Sequence, residues 1–217
     1  MDFIEVYFCE LSNNYYDNQL LTLVSDEKKE SIKNKTMIDS KLSVYSDLFV
    51  RYLICNKYHL HNNELRFTKN KYGKPYLLNN QDIFFNISHT NNAFVVALSK
   101  EEIGVDIEKI RNINLKMAKR LFTELEQKYI LSSEHKTKAF FELWTKKEAF
   151  IKYTGRNIFQ LPTFSVFNKD IQNLINTIIF HKYIISVCSI YNSSQNASNI
   201  IQIRENELET RIKQLLE

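Results

Sequence analysis

An α+β protein of two similar halves, each a small antiparallel sheet packed with helices, is predicted by three features of the chain. Strand-like and helix-like periodicities are interspersed along it, a charged helix followed by a longer apolar-faced one occurs twice, and strand-like segments follow each pair. The first charged helix starts near Ser25, in Ser25-Asp26-Glu27-Lys28-Lys29-Glu30. The longer one runs from about Asp39 to Tyr58, through Leu48, Phe49, Tyr52 and Leu53. Strands are expected over Glu64–Thr68 and Asp82–Ser88, then over Phe94–Ser99 and Ile103–Glu108, the last two joined by a short polar turn. The second pair of helices starts at Thr123 and spans about Lys138 to Thr154. Strand-like stretches follow at Ser165–Asn168 and Ile175–Cys188. Asn192–Asn199 reads as an Asn/Ser-rich loop and Glu205–Leu215 as a short polar helix. The two halves, related by a pseudo-twofold, are expected as residues 1–100 and 101–217. The likeness is one of architecture, without identity strong enough to be a sequence repeat.

The 217 residues can bury a substantial core, and 44% hydrophobic with 25% charged residues is ordinary for a folded soluble domain. A formal net charge of +4 suits an anionic small molecule or an acidic protein partner, and is too small to imply nucleic acid. Cys9, Cys55 and Cys188 are odd in number and widely spaced, which suggests neither a disulfide framework nor a zinc site. Asp2 and Glu5 argue against a signal peptide, and no apolar run approaches the ~20 residues that span a bilayer, so a cytoplasmic protein is expected. There are only three glycines, Gly73, Gly104 and Gly155, where average usage would give about fifteen. No Walker loop or dinucleotide fingerprint can be built from them, so bound phosphates would have to be held by side chains.

In Gly104-Val105-Asp106-Ile107-Glu108, strand alternation sends Val105 and Ile107 to one face and Asp106 and Glu108 to the other. Two carboxylates side by side suit a hard cation such as magnesium, but an Asp-x-Glu pair alone reads more readily as a solvated acidic strand face. On the later helix the apolar arc collects Phe140, Leu143, Trp144, Phe150 and Ile151. Lys147 falls inside that arc, Glu148 at its edge, and Lys152 one turn beyond Glu148. A surface ion pair would explain Glu148 and Lys152 but leaves Lys147 without a reason to be there. Gly155 stands where a left-handed residue ends a helix. The apolar segment Phe84-Phe85-Asn86-Ile87 closes on Ser88-His89, which could donate to an anion or be structural. Lys71-Tyr72-Gly73-Lys74-Pro75 marks a turn flanked by lysines.

Taken in order, Tyr72-Gly73-Lys74-Pro75, Phe85-Asn86-Ile87-Ser88-His89, Gly104-Val105-Asp106-Ile107-Glu108 and Trp144-Thr145-Lys146-Lys147-Glu148-Ala149-Phe150-Ile151-Lys152 resemble the Sfp-type 4′-phosphopantetheinyl transferases. The likeness covers roughly residues 20 to 190. It implies transfer of the phosphopantetheine arm of coenzyme A to a serine hydroxyl of an apo acyl or peptidyl carrier protein, with adenosine 3′,5′-bisphosphate released. By the same resemblance Asp106, Glu108 and Glu148 would hold magnesium, Glu148 would take the serine proton directly or through a water, and Lys152 would bind the phosphate. Lys147 would line the same pocket. Ser88 and His89 would contact the coenzyme A phosphates, Gly73, Lys74 and Pro75 would frame the adenine, and Lys28 and Ser43 would support the 3′-phosphate. The active site would then lie in the cleft between the halves.

The run Asp39-Ser40-Lys41-Leu42-Ser43 departs from the family's pattern of an arginine followed by a hydroxyl residue: Ser43 keeps the hydroxyl, and Lys41 stands near the missing arginine. Glu126 matches an acidic family position, but a capping box started by Thr123 explains it as well, so it stays outside the metal set. Arg111 to Phe122 resembles the docking surface for an acidic carrier, and is also readable as an amphipathic helix on the core. A monomer is expected, without nucleic acid or membrane as partner. The competing reading is a catalytically silent module of the same fold that binds an anion or an acidic protein.

Overall fold

The computed structural model describes residues 4–78, 80, 82–191 and 199–216. The chain opens with a strand, β1 (Ile4–Glu10), whose alternation sends Ile4, Val6 and Phe8 to one face and Tyr7 and Cys9 to the other. Ser25 caps α1 (Asp26–Ile32), its side chain accepting from the Lys28 amide at 3.2 Å. Thr36 caps the long helix α2 (Met37–Tyr58) through the amide of Asp39, and His59, at φ 55°, ends it. A hairpin of β2 (Phe67–Lys69) and β3 (Pro75–Leu77) leads to β4 (Phe84–Thr90), β5 (Ala93–Ser99) and β6 (Gly104–Lys109). Two short turns of helix, the second α3 (Ala118–Leu121), precede α4 (Glu124–Ser132) and the long α5 (Lys136–Thr154). After α6 (Lys169–Gln172), β7 (Ile175–Phe180) and β8 (Tyr183–Cys188) form a hairpin, and β9 (Ile200–Gln202) and α7 (Glu205–Lys213) complete the chain's elements.

These elements stack in four layers. One sheet has the order β4-β5-β1-β9, the other β6-β8-β7, and they meet face to face. Val6, Phe8, Val95, Ala97, Val105, Ile107, Ile185 and Val187 fill the space between them. The outer face of the first sheet, through Phe94, Val96 and Leu98, packs on Leu48, Phe49 and Leu53 of α2. The outer face of the second sheet receives α5, where Ile184 meets Phe140, Phe141 and Leu143. The α+β class and its two halves stand as expected, with each long helix covering one sheet. No described helix is long and apolar enough to cross a membrane.

Several local expectations are corrected. Ser165–Asn168 forms no strand: Asn168 caps α6 by accepting from the Asp170 amide at 2.9 Å, and Ser165 accepts from the Phe167 amide at 3.2 Å. Glu64 belongs to a turn, where its carboxylate takes the His61 amide at 2.6 Å, so the strand there is only Phe67–Lys69. The strand expected over Asp82–Ser88 starts at Phe84 and continues through His89 to Thr90. The stretch Ile175–Cys188 folds back at His181, whose φ is 55°. The loop expected over Asn192–Asn199 falls almost wholly outside the described residues. A division at residue 100 groups residues 200–216 with the second half, yet β9 pairs in parallel with β1 and α7 packs on α2.

Gly104, the first residue of β6, lies directly against the backbone of α5. A Cβ there would lie 2.1 Å from the Ala149 carbonyl oxygen and 2.3 Å from the Tyr153 nitrogen, both backbone atoms of α5. Only a residue without a side chain lets the strand lie on the helix backbone. Gly104→Ala is therefore expected to cost at least about 2 kcal/mol, read as a lower urea midpoint, because α5 must move off its sheet. An unchanged midpoint would show that the contact is not tight in solution.

Candidate active site

Because Val105 and Ile107 point between the sheets, Asp106 and Glu108 face α5, as strand alternation requires. There Lys152 Nζ donates to Asp106 Oδ1 at 2.7 Å and to Ser88 Oγ at 2.8 Å, and Ser88 donates to the same Oδ1 at 2.7 Å. Asp106 and Glu148 are buried, and Asp106 Oδ2 and Glu148 Oε1 have no hydrogen-bond partner among the described residues. Burial raises the Asp106 carboxyl against the opposing pull of Lys152 and Ser88. Burial raises Glu148 too, then the nearby charge of Asp106, and Lys152 offsets only part of this, leaving it at about 7.

Two hard oxygens, buried and undonated, on carboxyls that resist ionisation are a donor set that fits a divalent cation. The third expected ligand, Glu108, is turned to other partners. Its Oε2 accepts from Thr90 Oγ1 at 2.9 Å and from Arg111 Nη1 at 2.7 Å. Among the described residues no three histidine, cysteine or carboxylate side chains converge tightly enough to hold a metal as they stand.

Strand β4 is the seam between the halves, and its alternate residues do different jobs. Asn86, Ser88 and Thr90 face β6: Asn86 Oδ1 accepts from the Val105 amide at 2.9 Å, Ser88 Oγ from the Ile107 amide at 3.4 Å, and Thr90 holds Glu108. They bind the exposed edge of the second sheet with side chains in place of a neighbouring strand. His89 points the opposite way. It is exposed on the α2 side, where desolvation by the surrounding protein and then the ammonium groups of Lys152 and Lys35 hold its pKa below the usual value. Lys28 Nζ lies 3.4 Å from the Ser43 carbonyl, 3.5 Å from its hydroxyl and 3.4 Å from Asp47, and Lys35 reaches the same hydroxyl at 3.4 Å. Lys28, Ser43 and His89 thus sit on the same side of the first sheet.

Two cavities adjoin the seam. One of about 570 Å³ in the first half is lined by Lys28, Gly73, Pro75 and Ile87; a second of about 320 Å³ between the halves shares the last three and adds Lys74 and Lys152. Pro75 is therefore available to a ligand from both. The ammonium of Lys74 is committed, donating to Glu102 at 2.6 Å and to the carbonyls of Ile103 and Tyr153 at 3.1 and 3.3 Å.

Lys147 does not line the anionic pocket. It is fully buried on the other side of α5, paired with Glu126 Oε2 at 2.7 Å and donating to the Phe164 carbonyl. Glu126 completes the capping box with Thr123 and takes the Val166 amide at 2.9 Å, so one carboxylate ties α4, α5 and the loop before α6 together. Two oppositely charged residues that lacked an apolar explanation were the available signal. Lys41 is likewise absent from the 3′-phosphate side: it is buried under residues 12–14 and paired with Glu205 of α7. Asn86, Thr90 and Lys35 were not identified as site residues, and nothing in their local sequence marks them.

Glu126→Ala would strand the Lys147 charge and is expected to cost about 3–5 kcal/mol in chemical denaturation. Glu148 carries a pH signature. A carboxyl raised from 4.5 to about 7 binds its proton more tightly folded than unfolded, so its burden on stability is absent below pH 4.5, grows through that window and is complete above 7. Without divalent cations, the melting temperature of Glu148→Gln relative to the parent should rise between pH 4.5 and 8, by the equivalent of up to about 3 kcal/mol. A difference independent of pH would mean that Glu148 is not held near 7.

Comparison with known proteins agrees with this geometry. Residues 102–203 match the family model described as the 4′-phosphopantetheinyl transferase superfamily, and residues 12–102 match that of the 4′-phosphopantetheinyl transferase N-terminal region. The chain is 30% identical over 222 residues to the 4′-phosphopantetheinyl transferase gsp of Aneurinibacillus migulanus, covering 93% of each chain. It is 34% identical over 154 residues to the 4′-phosphopantetheinyl transferase Sfp of Bacillus subtilis (strain 168), covering 69% of each. With both halves matched and a transferase 30% identical along 93% of its length, the chain belongs to the 4′-phosphopantetheinyl transferase superfamily.

Proposed function

We propose that this protein transfers the 4′-phosphopantetheine arm of coenzyme A to a serine of an acidic acyl or peptidyl carrier protein, with magnesium bound at the seam. The observation that carries the reading is the buried, undonated pair Asp106 Oδ2 and Glu148 Oε1 beside Lys152. Coenzyme A lies along the seam, its 3′-phosphate toward Lys28, Lys35, Ser43 and His89, its adenosine against Gly73 and Pro75, and its diphosphate at Lys152.

The serine oxygen attacks the phosphorus that bears the pantetheine arm, and the bond from that phosphorus to the oxygen of adenosine 3′,5′-bisphosphate breaks. Glu148, buried at the seam beside Asp106 and Lys152, accepts the serine proton. Lys152, positioned by Asp106 and Ser88, offsets charge building on the phosphoryl oxygens. Magnesium held by Asp106, Glu148 and Glu108 supplies charge neutralisation to the diphosphate. To take part, the Glu108 carboxylate would have to give up its bonds from Arg111 and Thr90.

The carrier docks on the segment from Arg111 to Phe122. Its Ile113, Leu115 and Leu121 pack on the core, whereas Met117 is exposed among the exposed Lys116, Lys119 and Arg120. That basic surface around one apolar side chain supports an acidic partner. The three cysteines are free, which supports a cytoplasmic setting, and a monomer already contains both walls of the seam.

An apo carrier incubated with the protein, coenzyme A and magnesium should gain ~340 Da by mass spectrometry, the mass of the added arm. No gain across a panel of carriers would overturn the reading. Glu148→Gln should lower the transfer rate by at least about 100-fold while the coenzyme A dissociation constant stays within about threefold. Magnesium should raise the melting temperature of the parent more than that of this variant.

A further inference from the structure

We infer that Arg156 is a further substrate-binding residue, holding the adenosine end of coenzyme A from the second half so that the ligand is gripped by both walls of the cleft. This rests on the coenzyme A reading above. Three cations line the 320 Å³ cavity between the halves: Lys74, Lys152 and Arg156. Lys74 is neutralised by Glu102, and Lys152 by Asp106. The Arg156 side chain has no hydrogen bond, ion pair or ring contact among the described residues, so it is the cavity's one uncompensated charge.

The place of Arg156 is built. The preceding Gly155 ends α5 at φ +60°, and its carbonyl accepts from Asn70 Nδ2 at 3.1 Å. Asn70 Oδ1 in turn accepts from the amides of Tyr72 and Lys74, at 2.9 and 3.0 Å. One side-chain amide therefore fixes the turn that carries Tyr72 and the backbone that carries Arg156, one on each wall of the same cavity. Tyr72 is 44% exposed and so can offer a ring face to a ligand.

Position along α5 selects the part of the ligand. Lys152 marks the diphosphate, and Arg156 lies beyond the left-handed Gly155 that ends α5, on the wall of the same cavity that faces Tyr72 and Gly73. The group beyond the diphosphate on that side is the adenosine. A planar guanidinium can stack on a purine or donate to its ring nitrogens, and Tyr72 supplies a flat face from the other half.

The test is calorimetry of adenosine 3′,5′-bisphosphate and of coenzyme A, with steady-state transfer to an apo carrier, on the full chain and on Arg156→Ala and Arg156→Lys. Arg156→Ala should weaken both ligands by the same factor, about tenfold, and raise KM for coenzyme A. The value of kcat at saturating coenzyme A, KM for the carrier and the melting temperature should be unchanged. Arg156→Lys, which keeps charge without the plane, should fall between. Unchanged affinity for both ligands, or a raised KM for the carrier with coenzyme A unaffected, would overturn the assignment. Failure of the parent chain itself to bind coenzyme A would overturn the functional reading and this assignment with it.

Discussion

The contact on which the rest of the structure depends is the backbone-to-backbone approach of β6 and α5 at Gly104. With no Cβ between them, strand and helix lie close enough for Asp106, two residues along β6, to meet Lys152 on the last turns of α5. That is how Asp106 comes to share a proton-binding environment with Glu148 and an ion pair with Lys152. Placed further apart, each carboxylate would reach solvent and behave as an ordinary surface acid. Kept this close, they are excluded from water faster than they are neutralised, and one ammonium serves two acids. Burial first, and then the neighbouring charge of Asp106, raises the Glu148 carboxyl.

Much of this arrangement was legible from periodicity. The faces of Val105 and Ile107 against Asp106 and Glu108 follow from the two-residue repeat of a strand, and the end of α5 follows from Gly155. The long helices begin within two residues of their expected starts, α2 behind a local cap at Thr36 and α5 with no side-chain cap at His135, where the apolar arc alone marks the helix. Lys147 was misplaced because helical periodicity says which arc a residue occupies and not what covers that arc. Its partner Glu126 is 21 residues away and doubles as a capping residue, so each charge had a plausible local story. Strand β9 escaped because its partner β1 lies nearly the whole chain away, and β1 is itself fixed by antiparallel pairing with β5, some ninety residues on. A three-residue strand leaves little pattern of its own.

The seam also separates two electrostatic tasks that adjacent residues might seem to share. Ser88 and His89 are neighbours in sequence but face opposite sides of β4. Ser88 is saturated within the protein, between Lys152, Asp106 and the edge of β6, so its role is to hold the two halves in register. His89 faces the basic cluster near α2 and is free to meet an anion.

The route of the chain through the first sheet bears on the order in which the protein can assemble. β9 and α7 lie against β1 and α2, and the buried ammonium of Lys41 finds its acid, Glu205, 164 residues later. The second half is continuous in sequence, so its strands and α5 can condense as soon as they leave the ribosome. The first half is interrupted, and until residues 200–213 arrive its outer strand position is empty and Lys41 must stay hydrated. Long-range closure of that kind slows folding more than it adds to stability. In a cell the second half would thus be the early-forming unit, and the first half the one that waits for residues 200–213.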